Sequence, residues 1–265
     1  MPSIIHLANL ELQPSYFSHI SPTGIIAPST SPRAGIFNPA LDPLNHQGLG
    51  GTPIQASQSL LDSIHSHPSY RSFLAHPSLR SFTRTLTGWD KEVMLSRGLL
   101  RHNVPQSLST GIHYDQLFLR AGDPVFATAW VPIGDCSAAG GGLMYLENSC
   151  AIGEACEKEF LQRQEAEDMS PEERVNAFNK HMGEGGHLSH DAEAFLKKEG
   201  RGRRWLVADY EAGDVVFHSP WMIHGATKNE DESGRIRLAT DLRFYEEGSK
   251  LDQRWMKTFY FGDGL

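Results

Sequence analysis

The 265-residue chain has only three cysteines, Cys136, Cys150 and Cys156. Their odd number and the lack of Cys-x-x-Cys spacing argue against a disulfide scaffold, a thiolate zinc site and a dithiol redox motif. Free thiols are the simplest state. No Lys/Arg run is long or dense enough to follow a phosphate backbone, and the formal net charge is -8, so neither nucleic acid nor an anionic membrane surface is an expected partner. No stretch reaches the roughly 18 consecutive apolar residues of a membrane span. The opening MPSIIHLANLELQPSY lacks the basic lead, apolar core and cleavage site of a secretory signal. A cytoplasmic location is therefore expected. At 39% hydrophobic and 21% charged residues, the composition fits a single soluble globular domain spanning residues 1–265.

What is present is unevenly distributed. Residues 20–57 are rich in Ser, Pro, Gly and Asn, which cannot sustain a helix or a central strand, so residues up to about 57 read as an irregular leader. From about 58 to 87, SQSLLDSIHSH, SYRSFLAH and SLRSFTRTLTG each open on a serine able to cap a helix, with Pro68 and Pro77 as punctuation. From Glu92 to about Tyr245 the texture becomes short strand-like runs separated by Gly, Pro, Asn or Asp: EVMLSRGLL, STGIHYDQLFLR, PVFATAWVPI, GGLMYLENS, RWLVADY, DVVFHS and RIRLATDLRFY. This spacing suggests an antiparallel sandwich or jelly roll. One interruption, about 151–202, reads helical: Ser170-Pro-Glu-Glu173 has the capping-box form, and DAEAFLKKEG ends in lysines and a glycine. The insertion is expected to act as a lid over the site.

Within STGIHYDQLFLR, His113 and Asp115 stand two apart. On a strand they would share one face, at a reach suited to one ion. A His-x-Asp tripeptide is weak by itself, since this composition supplies roughly one by chance. A third ligand is offered by His224 in GDVVFHSPWMIHGATKN, at the end of an apolar run and before a glycine. Two histidines and one carboxylate leave positions open on a non-haem Fe(II), as a bidentate 2-oxo acid plus O2 requires. A 2-oxoglutarate co-substrate also needs a cation for its far carboxylate, and Arg235 and Arg237 follow in GRIRLATDLRFY.

Together the His-x-Asp of TGIHYDQ, the ATAWVPIGD strand, GGLMYLENS, GDVVFHSPWMIHGATKN and RIRLATDLRF resemble the phytanoyl-CoA dioxygenase-like Fe(II)/2-oxoglutarate oxygenases, over about Ser78 to Tyr245. The resemblance implies a mainly β fold with flanking helices, built on a double-stranded β-helix (jelly-roll, cupin-like) core. It makes His113, Asp115 and His224 the iron ligands. The family's co-substrate arginine follows the distal histidine by about eleven residues, which lands on Arg235. Aligning the family's Arg-Ile-Arg-Leu run lands instead on Arg237, with NEDESG as a slightly longer loop; Arg237 is preferred, with Arg235 as the alternative. The amino terminus departs from the family pattern, while STGIHYDQ is similar to fungal polyketide-tailoring members. The implied activity is oxidation, by default hydroxylation, of a small organic molecule such as a secondary metabolite, with Fe(II), 2-oxoglutarate and O2. Whether the chain is a monomer or a homodimer is left open.

Other residues carry weaker expectations. Thr128 and Trp130 share a strand face, where Thr128 would hydrogen-bond the co-substrate and Trp130 would wall the pocket or simply pack. Arg120 is a candidate for an acidic group on the substrate, although alternation puts it opposite His113 and Asp115. His218 could compete with His224 but reads better as a packed histidine beside the metal. His181, His187 and His190 read as solvated loop histidines. Two rival functions remain: a non-catalytic metal- or ligand-binding jelly roll, which needs no co-substrate anchor, and a zinc-type hydrolase, which needs a general base that the sequence does not offer.

Overall fold

The architecture was read from a computed structural model, in which residues 11–45, 58–167, 169–176 and 186–257 are described. Among these residues eight strands follow one another: β1 (Glu92–Met94), β2 (Leu99–Asn103), β3 (Ala127–Pro132), β4 (Leu143–Leu146), β5 (Trp205–Val207), β6 (Val216–His218), β7 (His224–Ala226) and β8 (Arg237–Glu246). All named pairings are antiparallel. The larger sheet runs β1-β8-β3-β6 with β2 also on β8, and the smaller runs β5-β4-β7. A bridge from His113 to His224 adds the His113 segment beside β7. Two four-membered layers, β2-β8-β3-β6 and His113-β7-β4-β5, are thus filled by a chain that crosses between them at every step except β4 to β5, which is the jelly-roll winding.

Alternation along β8 explains how one strand serves two environments. Leu238, Leu242 and Phe244 face outward into the main apolar cluster, with Leu12, Phe17, Tyr70, Phe73 and Leu79 from the helical flank. Full burial of each such side chain is worth about 1.5–3 kcal/mol. Arg237, Ala239, Asp241, Arg243 and Tyr245 alternate with them, and Ala239 packs with Trp130, Leu143, Tyr210 and Ala226 between the sheets. Polar residues on this inner face are the exception that a binding cavity requires.

Among the described residues the flank holds four helices: α1 (Gln13–Ile20), α2 (Gln58–Ser66), α3 (Pro68–Leu74) and α4 (Pro77–Thr87). Helix α1 corrects the expectation of an irregular leader. Its Ser, Tyr, Phe and His have modest propensity, but Leu12, Tyr16, Phe17 and Ile20 form one buried stripe, so tertiary burial decides. The remaining leader is irregular as expected from 21 to 45, with short 3-10 turns; the parts at 1–10 and 46–57 lie outside the described residues. The expected serine caps of α3 and α4 are also corrected. Pro68 and Pro77 occupy the first helical turn, and His67 and His76 cap instead, each Nδ1 accepting from the backbone N–H two residues on. A proline pre-set for the first turn moves the cap two residues upstream of the serine.

The insertion carries α5 (Cys150–Ala166), α6 (Pro171–Val175) and α7 (Ala192–Glu199). The capping box of Ser170 and Glu173 is formed, and Asp191 caps α7. Helix α5 packs closely against the Trp221 segment. A Cβ on Gly153 would come within 2.2 Å of the Trp221 carbonyl, so only glycine lets the helix lie this close. Glu157 of the same helix accepts from Arg120 Nε at 2.7 Å and a second guanidinium nitrogen at 2.8 Å, and also from the Tyr114 hydroxyl.

Candidate metal centre

The His-x-Asp segment is not the regular strand its alternation suggested. Ile112 and His113 make isolated bridges, Tyr114 stays extended (φ -125°, ψ 147°), and Asp115 opens a 3-10 turn, Asp115–Phe118. One extended residue between them is enough to turn His113 and Asp115 inward and Tyr114 outward against α5. His113 and His224 exchange both backbone hydrogen bonds, at 2.9 Å each, which sets the two imidazoles side by side with ring centroids 4.3 Å apart.

Each imidazole is oriented by its own backbone. Nδ1 of His113 donates to the Gly111 carbonyl and Nδ1 of His224 to the Met222 carbonyl, both at 2.8 Å. Those protons fix the tautomer, so both Nε2 atoms carry lone pairs. They face Asp115 Oδ1 at 3.8 and 3.9 Å, and one donor atom from each of the three residues lies within 4.8 Å of the others. Three electron-rich atoms converging in a buried space repel one another unless a cation sits between them. The donor set therefore fits a divalent metal, with nitrogen and oxygen ligands suited to Fe(II).

The electrostatics agree. Burial, followed by the neighbouring His218, lowers His224 to about 4. Burial, then His224, holds His113 well below the usual histidine value. For Asp115 burial pushes upward, but Arg243, His218 and His224 outweigh it and keep the carboxyl well below the usual range. At neutral pH the site thus offers two neutral imidazoles and one carboxylate without a proton to displace.

Asp115 is fully buried and held from several sides. Oδ1 accepts from Arg243 at 3.1 Å. Oδ2 accepts from the Thr128 hydroxyl and from His218 Nε2 at 3.2 Å. The Thr128 hydroxyl, expected to address a co-substrate, gives its one proton to Asp115. Arg243 was missed in the sequence, although it shares the parity of Arg237 on β8 and a charge in so apolar a strand was a usable signal.

The two clamp candidates separate in space. Arg235 precedes β8, its side chain 56% exposed and paired with Asp231 at 3.0 Å. Arg237 is half-buried; its Nε donates to the Gly141 carbonyl at 2.9 Å and its guanidinium lies 5.9 Å from the Trp130 ring centre. Gly141 (φ +81°) presents that carbonyl from a left-handed conformation. Among the described residues no carboxylate is within ion-pair range of Arg237. Trp130 is buried between the sheets. Arg120 is committed to Glu157, with its guanidinium 3.8 Å over the Phe160 ring, away from the histidines. His187 sits beside His113, rings 5.7 Å apart, and His190 beside His187 at 4.9 Å; His181 is outside the described residues.

Residues 64–237 match the family described as phytanoyl-CoA dioxygenase (PhyH), about two thirds of the chain. The chain belongs to the phytanoyl-CoA dioxygenase family. No curated protein sequence matches it. Among solved structures, it is similar to the non-heme alpha ketoglutarate dependent carbocyclase SnoK from nogalamycin biosynthesis: 19% identity over 70% of this chain and 62% of that one, TM-score 0.46. It is also similar to the epimerase SnoN in complex with Fe3+, alpha ketoglutarate and nogalamycin RO: 16% identity, 69% and 60%, TM-score 0.45. AviO1 from Streptomyces viridochromogenes Tue57 shares 12% identity over 95% of this chain and 88% of that one, TM-score 0.49. The chain thus spans about three fifths of the two nogalamycin enzymes. Among the described residues of this family member, no helix is long and apolar enough to cross a membrane.

Proposed function

We propose that this phytanoyl-CoA dioxygenase family member is an Fe(II)- and 2-oxoglutarate-dependent oxygenase that hydroxylates a small organic molecule, such as a secondary metabolite. The observation that carries the reading is the convergence of His113 Nε2, His224 Nε2 and Asp115 Oδ1 with their remaining atoms already engaged. In this reading His113, Asp115 and His224 hold the iron and Arg237 receives the far carboxylate of 2-oxoglutarate. Bound iron supplies the O2 chemistry, in which 2-oxoglutarate is oxidised to succinate and CO2 while one oxygen atom passes to the substrate.

The chain's own residues bind, orient and exclude water. A half-buried guanidinium without a carboxylate partner is costly to keep, and a dicarboxylate entering the barrel relieves that cost. Its planar fork fixes the angle of the bound carboxylate, and the Gly141 carbonyl on Nε fixes the fork. The Trp130 ring beside it, itself buried among Leu143, Tyr210 and Ala226, limits water at that end, which strengthens the pairing. Arg235, already paired at the surface, has no such need.

An anaerobic titration with Fe(II) and 2-oxoglutarate tests the reading. A visible metal-to-ligand charge-transfer band that requires both components, followed by succinate formation on admitting O2, is the expected result. Metal binding without the band would leave a non-catalytic metal-binding jelly roll.

A further inference from the structure

One rung of the larger sheet is built around a single side chain. Thr128 on β3 lies directly opposite His218 on β6 and directly opposite Arg243 on β8. All three donate to Asp115: Thr128 and His218 to Oδ2, Arg243 to Oδ1. The donors are therefore spaced by backbone pairing rather than by loop geometry, and the carboxylate has little freedom to turn. Its two oxygens are not equivalent. Oδ1 is the one facing both bare imidazole nitrogens, while Oδ2 is covered by two donors.

As a neutral imidazole, His218 can fill this place only in the tautomer with its proton on Nε2. The other nitrogen, Nδ1, lies 3.0 Å from the Tyr145 hydroxyl, which must then donate to it. Tyr145 is itself fixed by register, opposite His224 on the β4-β7 pair, with its ring stacked on that histidine at 5.7 Å. A directed chain follows: Tyr145 O–H to His218 Nδ1, His218 Nε2–H to Asp115 Oδ2.

We infer that His218 and Tyr145 are a positioning pair that restricts Asp115 to one coordinating oxygen. The inference rests on the proposed metal site and deepens it. A carboxylate with Oδ2 withdrawn would offer a bound metal a single oxygen and so leave room for a bidentate 2-oxo acid and O2. With Oδ2 released it is free to chelate, which takes up part of that room.

Co(II) titration of the full chain tests the pair, since cobalt absorption bands report both affinity and coordination number. Wild type should bind; if it does not, the metal site and this inference fall together. His218→Leu should bind about 10- to 100-fold more weakly, the range for groups that orient metal ligands, with a changed band intensity. His218→Gln, whose amide can again donate to Oδ2, should recover part of the affinity and the wild-type spectrum. Tyr145→Phe loses one hydrogen bond and should weaken binding about 2- to 12-fold. Unchanged affinity and spectrum in a folded His218→Leu, with wild type binding normally, would overturn the positioning role alone. Loss of binding as complete as in His224→Ala would also overturn it, by making His218 a ligand.

Discussion

Two buried carboxylates flank Tyr114, and they are put to different uses. Glu157, on the insertion helix, is closed: Arg120 takes both oxygens and the Tyr114 hydroxyl adds a third donor. Asp115 receives a similar set, a guanidinium, a hydroxyl and an imidazole, but its Oδ1 also faces two lone-pair nitrogens that offer it no proton. The first arrangement is a fastening; the second turns lone pairs inward, where a cation could hold them together. Burial and an arginine partner do not separate them; the atoms left looking inward do.

The largest expected effect tests the open carboxylate. His113→Ala, His224→Ala and Asp115→Ala should each abolish metal-dependent turnover and metal binding. The histidine variants should stay near wild-type apo stability, whereas Asp115→Ala also strands Arg243 and should cost about 3–5 kcal/mol in urea unfolding. A destabilised His224→Ala with intact metal binding would erase the distinction. Glu157→Ala should give the converse: about 3–5 kcal/mol lost because a buried ion pair is broken from one side, with metal affinity nearly unchanged in the folded fraction.

Arg237→Ala comes next, as the inner cation that Asp115 and Glu157 leave unpaired. Removing one side of a desolvated bidentate pair costs on the order of 2–5 kcal/mol, so the half-saturating 2-oxoglutarate concentration should rise about 30-fold or more. Arg237→Lys should recover only part of the loss, and Arg235→Ala should change little. A large effect at Arg235 with none at Arg237 would move the clamp to the surface residue.

The smallest effect is in pH. His224 titrates near 4 in the folded chain, chiefly through burial, against about 6.5 unfolded. Between those values the unfolded state binds the extra proton, so stability rises with pH. The contribution of the neutral ring is complete above about 6.5 and is lost as pH falls toward 4, with a slope of up to about 1.4 kcal/mol per pH unit. His113 adds in the same direction. Unfolding of the metal-free chain at pH 7 and pH 5 should show this loss, and His224→Ala should flatten it.

The strands and the insertion were legible because alternation and caps are local. So was the proximity of His113, Asp115 and His224, through residue type and spacing. The partners of Asp115 and Glu157 were not, since Arg243 lies 128 positions from Asp115 and Glu157 lies 37 from Arg120, separations that no periodicity spans. Helix α1 was hidden for another reason: its residues favour helix only when Tyr16, Phe17 and Ile20 have a core to enter. The separation of Arg235 from Arg237 could not be read from parity, because β8 begins at Arg237 and leaves Arg235 to pair with Asp231 in the turn.

The reciprocal backbone pairing of His113 with His224 has a bearing on how such a chain can change over generations. Two backbone hydrogen bonds of 2.9 Å join the two segments directly, so the spacing of these two histidines does not depend on the length of the path from 114 to 223. Segments hung on that path can be lengthened, replaced or rebuilt around new molecules while the pair of imidazoles keeps its distance. Novelty in what is oxidised can then accumulate without renegotiating how the oxidant is held.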